Sequence, residues 1–284
     1  MIIKFGARGD VVVSIQKQLK SLGFKSKNGK VLSTDGIFGE STEYAVMQFQ
    51  KSKNLLVDGK VGDKTREALA GQSTSKFLKD SDYIAAAKRL KVSELAIRVF
   101  GATEGRGVGF LKNGKAKILF ERHRMYHYLV QLKGKTFANA QMKQYPNLVN
   151  TVTGGYKGNE AEYTRLSLAK NICPEAALMS CSWGQFQIMG ENWKELGYTS
   201  VFDFVDQMQQ SESLQLEAFI RFIEFKTGII ADKKVALIDA LRASDWHSVF
   251  TLYNGTSYKK LGYQAKFQKE WDHLEPIYGE QKAA

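Results

Sequence analysis

One carboxylate is distinguished by its surroundings in the sequence. Glu104 ends an apolar segment of helical spacing, and glycines follow at positions 105, 107 and 109. A carboxylate at the C-terminal end of a helix faces the negative end of the helix dipole, and apolar neighbours partly remove it from water. Both effects favour the protonated form, so we expect the pKa of Glu104 to be raised. A carboxyl group that keeps its proton near neutral pH can act as a general acid.

Aromatic and amide side chains recur in three later segments. Trp183 and Gln187 lie in the run SWGQFQIMG, Tyr253 and Asn254 precede a glycine, and Tyr156 follows two glycines. Aromatic faces can stack on sugar rings, and amides can hydrogen-bond hydroxyl and N-acetyl groups. These segments therefore predict a carbohydrate-binding cleft with these five residues as candidate contacts.

Metal and thiol chemistry have weaker support. His123 and His127 have the i, i+4 spacing of helical metal ligands, but the internal Glu of a His-Glu-x-x-His motif is missing. Cys173 and Cys181 stand in a stretch with helical character, where eight residues span about 12 Å, too far for a disulfide. We expect two buried free thiols, no metal and no cofactor.

The elements that position these residues begin with an internal repeat in the first 70 residues. An Asp-Gly turn, a second glycine and a threonine at the start of a helix occur twice. The candidate residues of this repeat are Asp35, Gly36, Phe38, Gly39, Asp58, Gly59 and Gly62.

Beyond the repeat, helical spacing of apolar residues dominates the chain. Asp10 is a candidate N-cap for the first helix and Ser93 for the helix that carries Glu104. The segment 116–120, after a Lys-Asn-Gly-Lys turn, has strand character and predicts a β-hairpin. The predicted helices are 10–22, 41–53, 64–69, 82–90, 94–103, 159–171, 174–180, 201–227, 235–242, 246–253 and 258–277.

Composition and charge narrow the class of protein. With 284 residues and 43% hydrophobic residues the chain can bury a sizeable core, which excludes a disordered protein. The formal net charge of +12 favours an anionic partner, but it is spread along the chain rather than gathered in a nucleic-acid-binding tail. Neither a secretory signal nor an apolar run of about 18 residues is present.

The first 70 residues resemble the peptidoglycan-binding type 1 domain. The resemblance covers about residues 5–70 and includes a leading helix ending in Leu22-Gly23-Phe24, the Asp-Gly-x-Phe-Gly-x-x-Thr pattern, and Phe49-Gln50 in the next helix. It implies a compact three-helix module that binds bacterial cell wall. The polar stretch 72–75 is the natural linker, so we predict a wall-binding domain over 1–71, a linker over 72–79 and a catalytic domain over 80–284.

The remainder resembles the N-acetylmuramidase domain of phage endolysins over about residues 80–278. The matching segments are Glu104 with its glycine loop, 118–123, 182–190 and 253–255. They are also similar to the motifs of goose-type lysozymes and lytic transglycosylases. One departure is that Gly105 stands where a serine often follows the acid. The resemblance implies a mainly α-helical, lysozyme-like fold with a small β-hairpin, with Glu104 as the acid.

The second carboxylate decides between two reactions. Hydrolysis without a covalent intermediate needs a base about 6.5–9.5 Å from the acid. Glu121, at the end of the predicted strand, is our candidate, and Glu160 and Glu162 are alternatives. The main prediction is an endolysin that hydrolyses the β-1,4 bond between N-acetylmuramic acid and N-acetylglucosamine. A lytic transglycosylase would need Glu104 alone, and a non-catalytic wall-binding protein would need neither carboxylate.

These expectations also define partners and place of action. We predict peptidoglycan as the partner, additional contact of the positive charge with anionic cell surface, no nucleic acid, no integral membrane segment, and a monomer. Without a signal, the protein would accumulate in the host cytoplasm and reach the wall after the membrane is permeabilised.

Overall fold

The first 70 residues fold around a small core of their own. The computed structural model describes residues 1–105, 107–260 and 262–279. The apolar faces of the first helices enclose Phe38 and Phe49, which are both fully buried. These helices are α1 (Asp10–Ser21), α2 (Glu40–Ser52) and α3 (Asp63–Leu69). Asp10 is the first residue of α1 rather than its cap, because Gly9 occupies the cap position without a side-chain hydrogen bond.

The second core is larger and extends from Leu78 to Leu274. Helix α5 lies at its centre and packs against α4 and α14. The helices of this part are α4 (Asp80–Leu90), α5 (Glu94–Glu104), α6 (Arg122–Lys133), α7 (Lys135–Gln144), α8 (Ala161–Ile172), α9 (Pro174–Met179), α10 (Val201–Gln210), α11 (Glu212–Phe225), α12 (Leu237–Arg242), α13 (Trp246–Asn254) and α14 (Tyr263–Tyr278). Short 3-10 turns cover Gly190–Asn192 and Thr256–Lys259. The fold is mainly α, as predicted.

Two small antiparallel sheets complete the larger part. The first has the strand order β1 (Ile118–Phe120), β2 (Cys181–Trp183) and β3 (Ile188–Met189). The predicted strand is confirmed, and the turn before it is closed by a bridge between Phe110 and Ala116. The partner of β1, however, is β2, about 60 residues further along the chain. The second sheet pairs β4 (Thr227–Ile230) with β5 (Lys233–Ala236).

Three predicted helices were wrong in extent. The segment 201–227 is two helices, since Ser211 is extended and its hydroxyl accepts a hydrogen bond from Leu214 N to cap α11. The segment 235–242 begins as strand β5, and 258–277 begins as a 3-10 turn. Helices α6 and α7 and the β4–β5 hairpin were not predicted. Helices α6 and α7 bury only Met125, Leu129 and Ala138, so their apolar periodicity is weak.

Two local predictions are confirmed. The Ser93 hydroxyl accepts a hydrogen bond from Ala96 N at 3.1 Å and so caps α5. Cys173 and Cys181 are free and buried. Cys181 lies on strand β2 rather than on the helix with Cys173, because α9 ends at Met179.

The second copy of the repeat faces the larger core. His273 Nε2 lies 2.7 Å from the Asp58 carbonyl oxygen, and the Tyr278 hydroxyl donates to the Val57 carbonyl at 2.8 Å. Lys60 forms an ion pair with Glu270 at 3.1 Å. Helix α14 therefore packs against the loop that carries Asp58.

Candidate active site

Glu104 is held by a helix that is almost wholly buried. Most residues of α5 are buried, and the close packing extends to Gly101, where a Cβ atom would lie 2.1 Å from the Tyr83 hydroxyl. Glu104 is the last residue of this helix and is only 8% exposed. The Asn254 side chain donates a hydrogen bond from Nδ2 to Glu104 Oε1 at 2.8 Å. The structure thus brings together two residues that are 150 positions apart and that the sequence had marked independently.

Asn254 is positioned by the aromatic residue before it. It is the last residue of α13, whose first turn is capped by the Asp245 side chain. The Tyr253 hydroxyl donates to the Phe186 carbonyl at 3.1 Å, and its ring packs edge-on against Phe100 and Phe219. Tyr253 therefore anchors the end of α13 to the 182–190 segment. Its observed role is to place Asn254 beside Glu104.

The turn between β2 and β3 lies against the residue that follows the acid. A Cβ atom on Gly105 would lie 2.7 Å from the Gly101 carbonyl oxygen and 3.1 Å from Gln185 Nε2. A side chain at this position would be too close to both neighbours, so this packing requires the glycine that the sequence has after the acid. The sequence analysis did not single out Gln185, although it lies within the SWGQFQIMG run.

Gln187 stabilises this turn with both ends of its amide. Its Nε2 donates to the Gly184 carbonyl at 2.9 Å, and its Oε1 accepts from the Ser182 hydroxyl at 2.9 Å. The residue has a φ of 53°, in the left-handed region. The amide is therefore engaged within the turn, and its direct observed role is to hold the turn's shape.

Trp183 requires a correction to the sequence-based assignment. It is 1% exposed, and its indole Nε1 donates to the Leu178 carbonyl at 3.3 Å. The ring is fully buried and belongs to the larger core. Trp183 packs the fold and does not offer a face to a sugar ring.

Glu121 lies at the N-terminal end of α6, with its side chain 16% exposed. The Tyr156 hydroxyl donates to Glu121 Oε2 at 2.7 Å, and His123 Nδ1 lies 3.3 Å from the same oxygen. Burial, followed by the hydrogen bond to Glu121, raises the pKa of Tyr156 to about 12. Tyr156 is 45% exposed and remains a hydrogen-bond donor at neutral pH. The pair Glu121–Tyr156 is thus an accessible polar cluster.

The alternative Glu162 is buried and fully engaged. It accepts hydrogen bonds from the backbone N–H groups of Phe120, Lys157 and Gly158. It also forms an ion pair with Arg165 at 2.7 Å. Burial raises the pKa of Glu162, but these N–H donors and Arg165 outweigh it, so the pKa is lowered. This carboxylate holds the 157–158 loop to β1, a role that the sequence analysis did not anticipate. Glu160 occupies the cap position of α8 without a side-chain cap hydrogen bond.

The two copies of the repeat share one hydrogen-bond network. In the first copy, Gln16 donates to Asp35 at 2.9 Å and to Thr42 at 3.0 Å, and it accepts from Gly36 N. In the second copy, Gln50 makes the same contacts with Asp58, Thr65 and Gly59. Gly36 and Gly59 both have positive φ, and Phe38 is core. Gly39 and Gly62 occupy the cap positions of α2 and α3.

The environments of the two copies differ. Asp35 is exposed, and its pKa is lowered by hydrogen bonds from Ile37 N and from Gln16. The pKa of Asp58 is raised by burial, which outweighs the hydrogen bonds from Lys60 N and Gln50. The first copy is open to a large ligand, whereas helix α14 lies over the second.

Two further features bear on the class of protein. Over residues 1–105, 107–260 and 262–279, no group of three or more His, Cys, Asp or Glu side chains is arranged to hold a metal ion. Within these same ranges, no helix is long and apolar enough to cross a membrane. Buried Glu104 and its partner Asn254 are the candidate active site, and the mainly α fold that carries them is lysozyme-like.

Comparisons with known proteins define the family. The N-acetylmuramidase family model matches residues 94–275, and the putative peptidoglycan binding domain model matches residues 8–69. The chain belongs to the N-acetylmuramidase family. Its structure is similar to the crystal structure of Burkholderia AP3 phage endolysin, with a TM-score of 0.84 and 41% identity over 98% of this chain and all of that one.

Curated relatives match a shorter segment. A spore cortex-lytic enzyme of Halalkalibacterium halodurans is 38% identical over 79 residues, and one of Bacillus cereus is 43% identical over 68 residues. These segments cover 28% and 24% of this chain. The match spans about a quarter of the length of either relative, 22% and 24%.

Proposed function

We propose that this muramidase hydrolyses the β-1,4 bond between N-acetylmuramic acid and N-acetylglucosamine, with Glu104 as the general acid. The observation that carries the proposal is the pair formed by Glu104 and Asn254 at the end of α5. The proton of Glu104 would pass to the glycosidic oxygen as the bond to the leaving sugar breaks. The Asn254 amide would hold the carboxyl group in place through Oε1.

Glu121 is our candidate for the group that activates or orients the attacking water. Its carboxylate is partly exposed and is held by the Tyr156 hydroxyl, which stays protonated at neutral pH. Glu162 is a poorer candidate, because its oxygens are already occupied by backbone N–H groups and Arg165. Tyr156 could present its exposed ring to the substrate in the same place. Of the predicted sugar contacts, Tyr156 and Asn254 have the geometry for the role.

The first copy of the repeat is our candidate for wall contact. Its loop, with exposed Asp35 and Ile37, is open, whereas the second copy faces α14. The wall-binding domain, residues 1–71, would anchor the enzyme to peptidoglycan through this loop. The linker, residues 72–79, would join it to the catalytic domain, residues 80–284, which would cleave the glycan. The net charge of +12 would add attraction to an anionic cell surface.

The biological role that fits these features is host-cell lysis by a phage endolysin. Similarity to a phage endolysin along nearly the whole chain supports it. We expect the enzyme to act as a monomer on the wall once the membrane has been permeabilised.

Mass spectrometry of digested peptidoglycan tests the reaction. Hydrolysis adds one water to the products and leaves reducing N-acetylmuramic acid ends, and we expect these to predominate. Reducing N-acetylglucosamine ends would show that the other bond is cut. Anhydro-muramic ends would show a lytic transglycosylase. Absence of soluble glycan would indicate a binding protein without activity.

A further inference from the structure

A buried carboxylate outside the proposed catalytic pair connects three parts of the molecule. Glu212 is the first residue of α11 and has a side chain with no exposed surface. Its Oε1 accepts a hydrogen bond from Gly109 N at 2.6 Å, in the loop that follows Glu104. Its Oε2 accepts from Leu78 N at 2.8 Å, within the predicted linker. The same oxygen forms an ion pair at 2.5 Å with Lys64 Nζ, on helix α3 of the wall-binding module.

The Gly109 end of this network fixes the loop after the acid. The Gly109 carbonyl accepts from Lys117 N at 2.8 Å, and a Cβ atom on Gly109 would lie 2.0 Å from Gln215 Oε1. Gln215, one turn further along α11, also accepts from Gln185 N at 2.7 Å. The first turn of α11 therefore contacts both Gly109 and the turn that packs against Gly105. Gly109 is only four positions after Gly105, so we expect a displacement at Gly109 to reach the neighbour of Glu104.

The Lys64 end of the network lies in the other core. Lys64 and the loop face each other across a cavity of about 500 Å³, whose lining includes Gly105, Gly107 and Val108 on one side and Asp63 and Thr65 on the other. A buried carboxylate without a countercharge is strongly unfavourable, so removing Lys64 would force Glu212 to rearrange. The groups it would release are Gly109 N and Leu78 N.

We propose that Glu212 is a positioning residue of the active site and that Lys64 of the wall-binding module completes it. The module then contributes to the chemical step directly, in addition to any binding of the wall. The inference rests on the proposed role of Glu104 as the acid. It predicts that a substitution in the module slows cleavage of a substrate too small to need wall binding.

The test measures kcat and KM on soluble oligosaccharides of alternating N-acetylglucosamine and N-acetylmuramic acid. Full-length Lys64→Met should lower kcat roughly tenfold, since a misplacement of about 1 Å in an active site can cost up to about 100-fold. The KM should stay within about twofold, because substrate contacts are unchanged. The matched control is Glu270→Gln, which breaks the Lys60–Glu270 ion pair between the module and the larger core but leaves the contacts of Glu212 in place.

Two further variants separate positioning from folding. Lys64→Arg keeps the cation and should retain kcat within about threefold. If Lys64→Met does not fold, Lys64→Arg is the variant in which the Lys64 position can still be assayed. In a double-mutant cycle, Lys64→Met added to Glu212→Gln should lower kcat little further, because both changes act through one contact. All rates are compared well below each variant's Tm.

The outcomes are distinct. Unchanged kcat in Lys64→Met, an equal loss in Glu270→Gln, or additive losses in the double variant would each overturn the proposal. An active Glu104→Gln enzyme, or anhydro ends in the wild-type digest, would instead overturn the proposed function. In that case the comparison of kcat between the Lys64 and Glu270 variants can still be interpreted, because it does not depend on which bond is cut or how.

Discussion

Replacing Glu104 by glutamine removes the acidic proton and leaves the size and shape of the side chain almost unchanged. The side chain keeps its length, and its amide oxygen can still accept the hydrogen bond that Asn254 donates to Oε1. Glu104 is only 8% exposed, so a nearly isosteric change avoids opening a cavity beside Gly105. What the variant lacks is an acidic proton for the leaving oxygen.

The expected loss follows from that single difference. General acid catalysis contributes about 10²–10⁴-fold, which corresponds to about 2.7–5.4 kcal/mol in the activation free energy. Since the Asn254 contact can be kept, no further penalty from a displaced carboxyl group is added. We expect kcat to fall within this range while KM and wall binding stay close to wild type.

Two assays check this prediction. Turbidity clearing of purified walls follows the overall activity, and release of reducing ends from soluble glycan follows the chemical step. Glu94→Gln is the control, because Glu94 starts the same helix and is paired with Arg98 far from the site. A folded Glu104→Gln enzyme with activity within a few-fold of wild type would refute the assignment of Glu104 as the acid.

Three further predictions concern the surroundings of the acid. Asn254→Ala should lower kcat about 2–10-fold, the worth of a hydrogen bond between neutral groups, since Glu104 acts in its protonated form; steady-state kinetics with an unchanged rate would contradict this role. Glu121→Gln should depress hydrolysis strongly and Tyr156→Phe about tenfold; near-normal rates of a folded Glu121→Gln enzyme would remove it from the mechanism. Glu162→Gln should cost about 3–5 kcal/mol of stability by leaving Arg165 buried without its anion, as measured by denaturant unfolding. Since the folded pKa of Glu162 is lowered from 4.5, its carboxylate stabilises the fold above that pH; the wild-type advantage should shrink as pH falls below it, and a pH-independent difference would contradict this.

Local sequence signals predicted the elements that depend on local contacts. The apolar spacing of α5 and its Ser93 cap located the helix that ends at Glu104, and the Asp-Gly repeat located both loops of the first core. Helices α6 and α7 could not be found in this way, since few of their residues are buried. The partner of β1 was equally inaccessible, because strand pairing over about 60 residues leaves no local pattern.

The candidate site residues also differ in how well a sequence pattern predicts their role. The motif order marked Glu104 and Asn254, and the structure places them in hydrogen-bonding contact. The same motifs marked Trp183 and Gln187, whose polar groups bond to the carbonyls of Leu178 and Gly184 within the fold. A motif records that a residue type is needed at a position, but burial decides whether it serves the substrate or the fold. Glu212 carried no motif at all, since its partners come from three separate segments.

The repeat shows most clearly how environment changes the meaning of a pattern. Asp35 and Asp58 accept the same hydrogen bonds from equivalent glutamines, so sequence alone assigns them one role. Their pKa values nevertheless move in opposite directions, because hydrogen bonds dominate at exposed Asp35 and burial dominates at Asp58. The burial comes from surroundings that include α14, whose His273 contacts the Asp58 carbonyl. The repeat therefore supplies two loops with the same hydrogen-bond network, of which the first is exposed and the second packs against α14. Because α14 also packs against α5, only one helix lies between the second copy of the repeat and the helix that ends at Glu104.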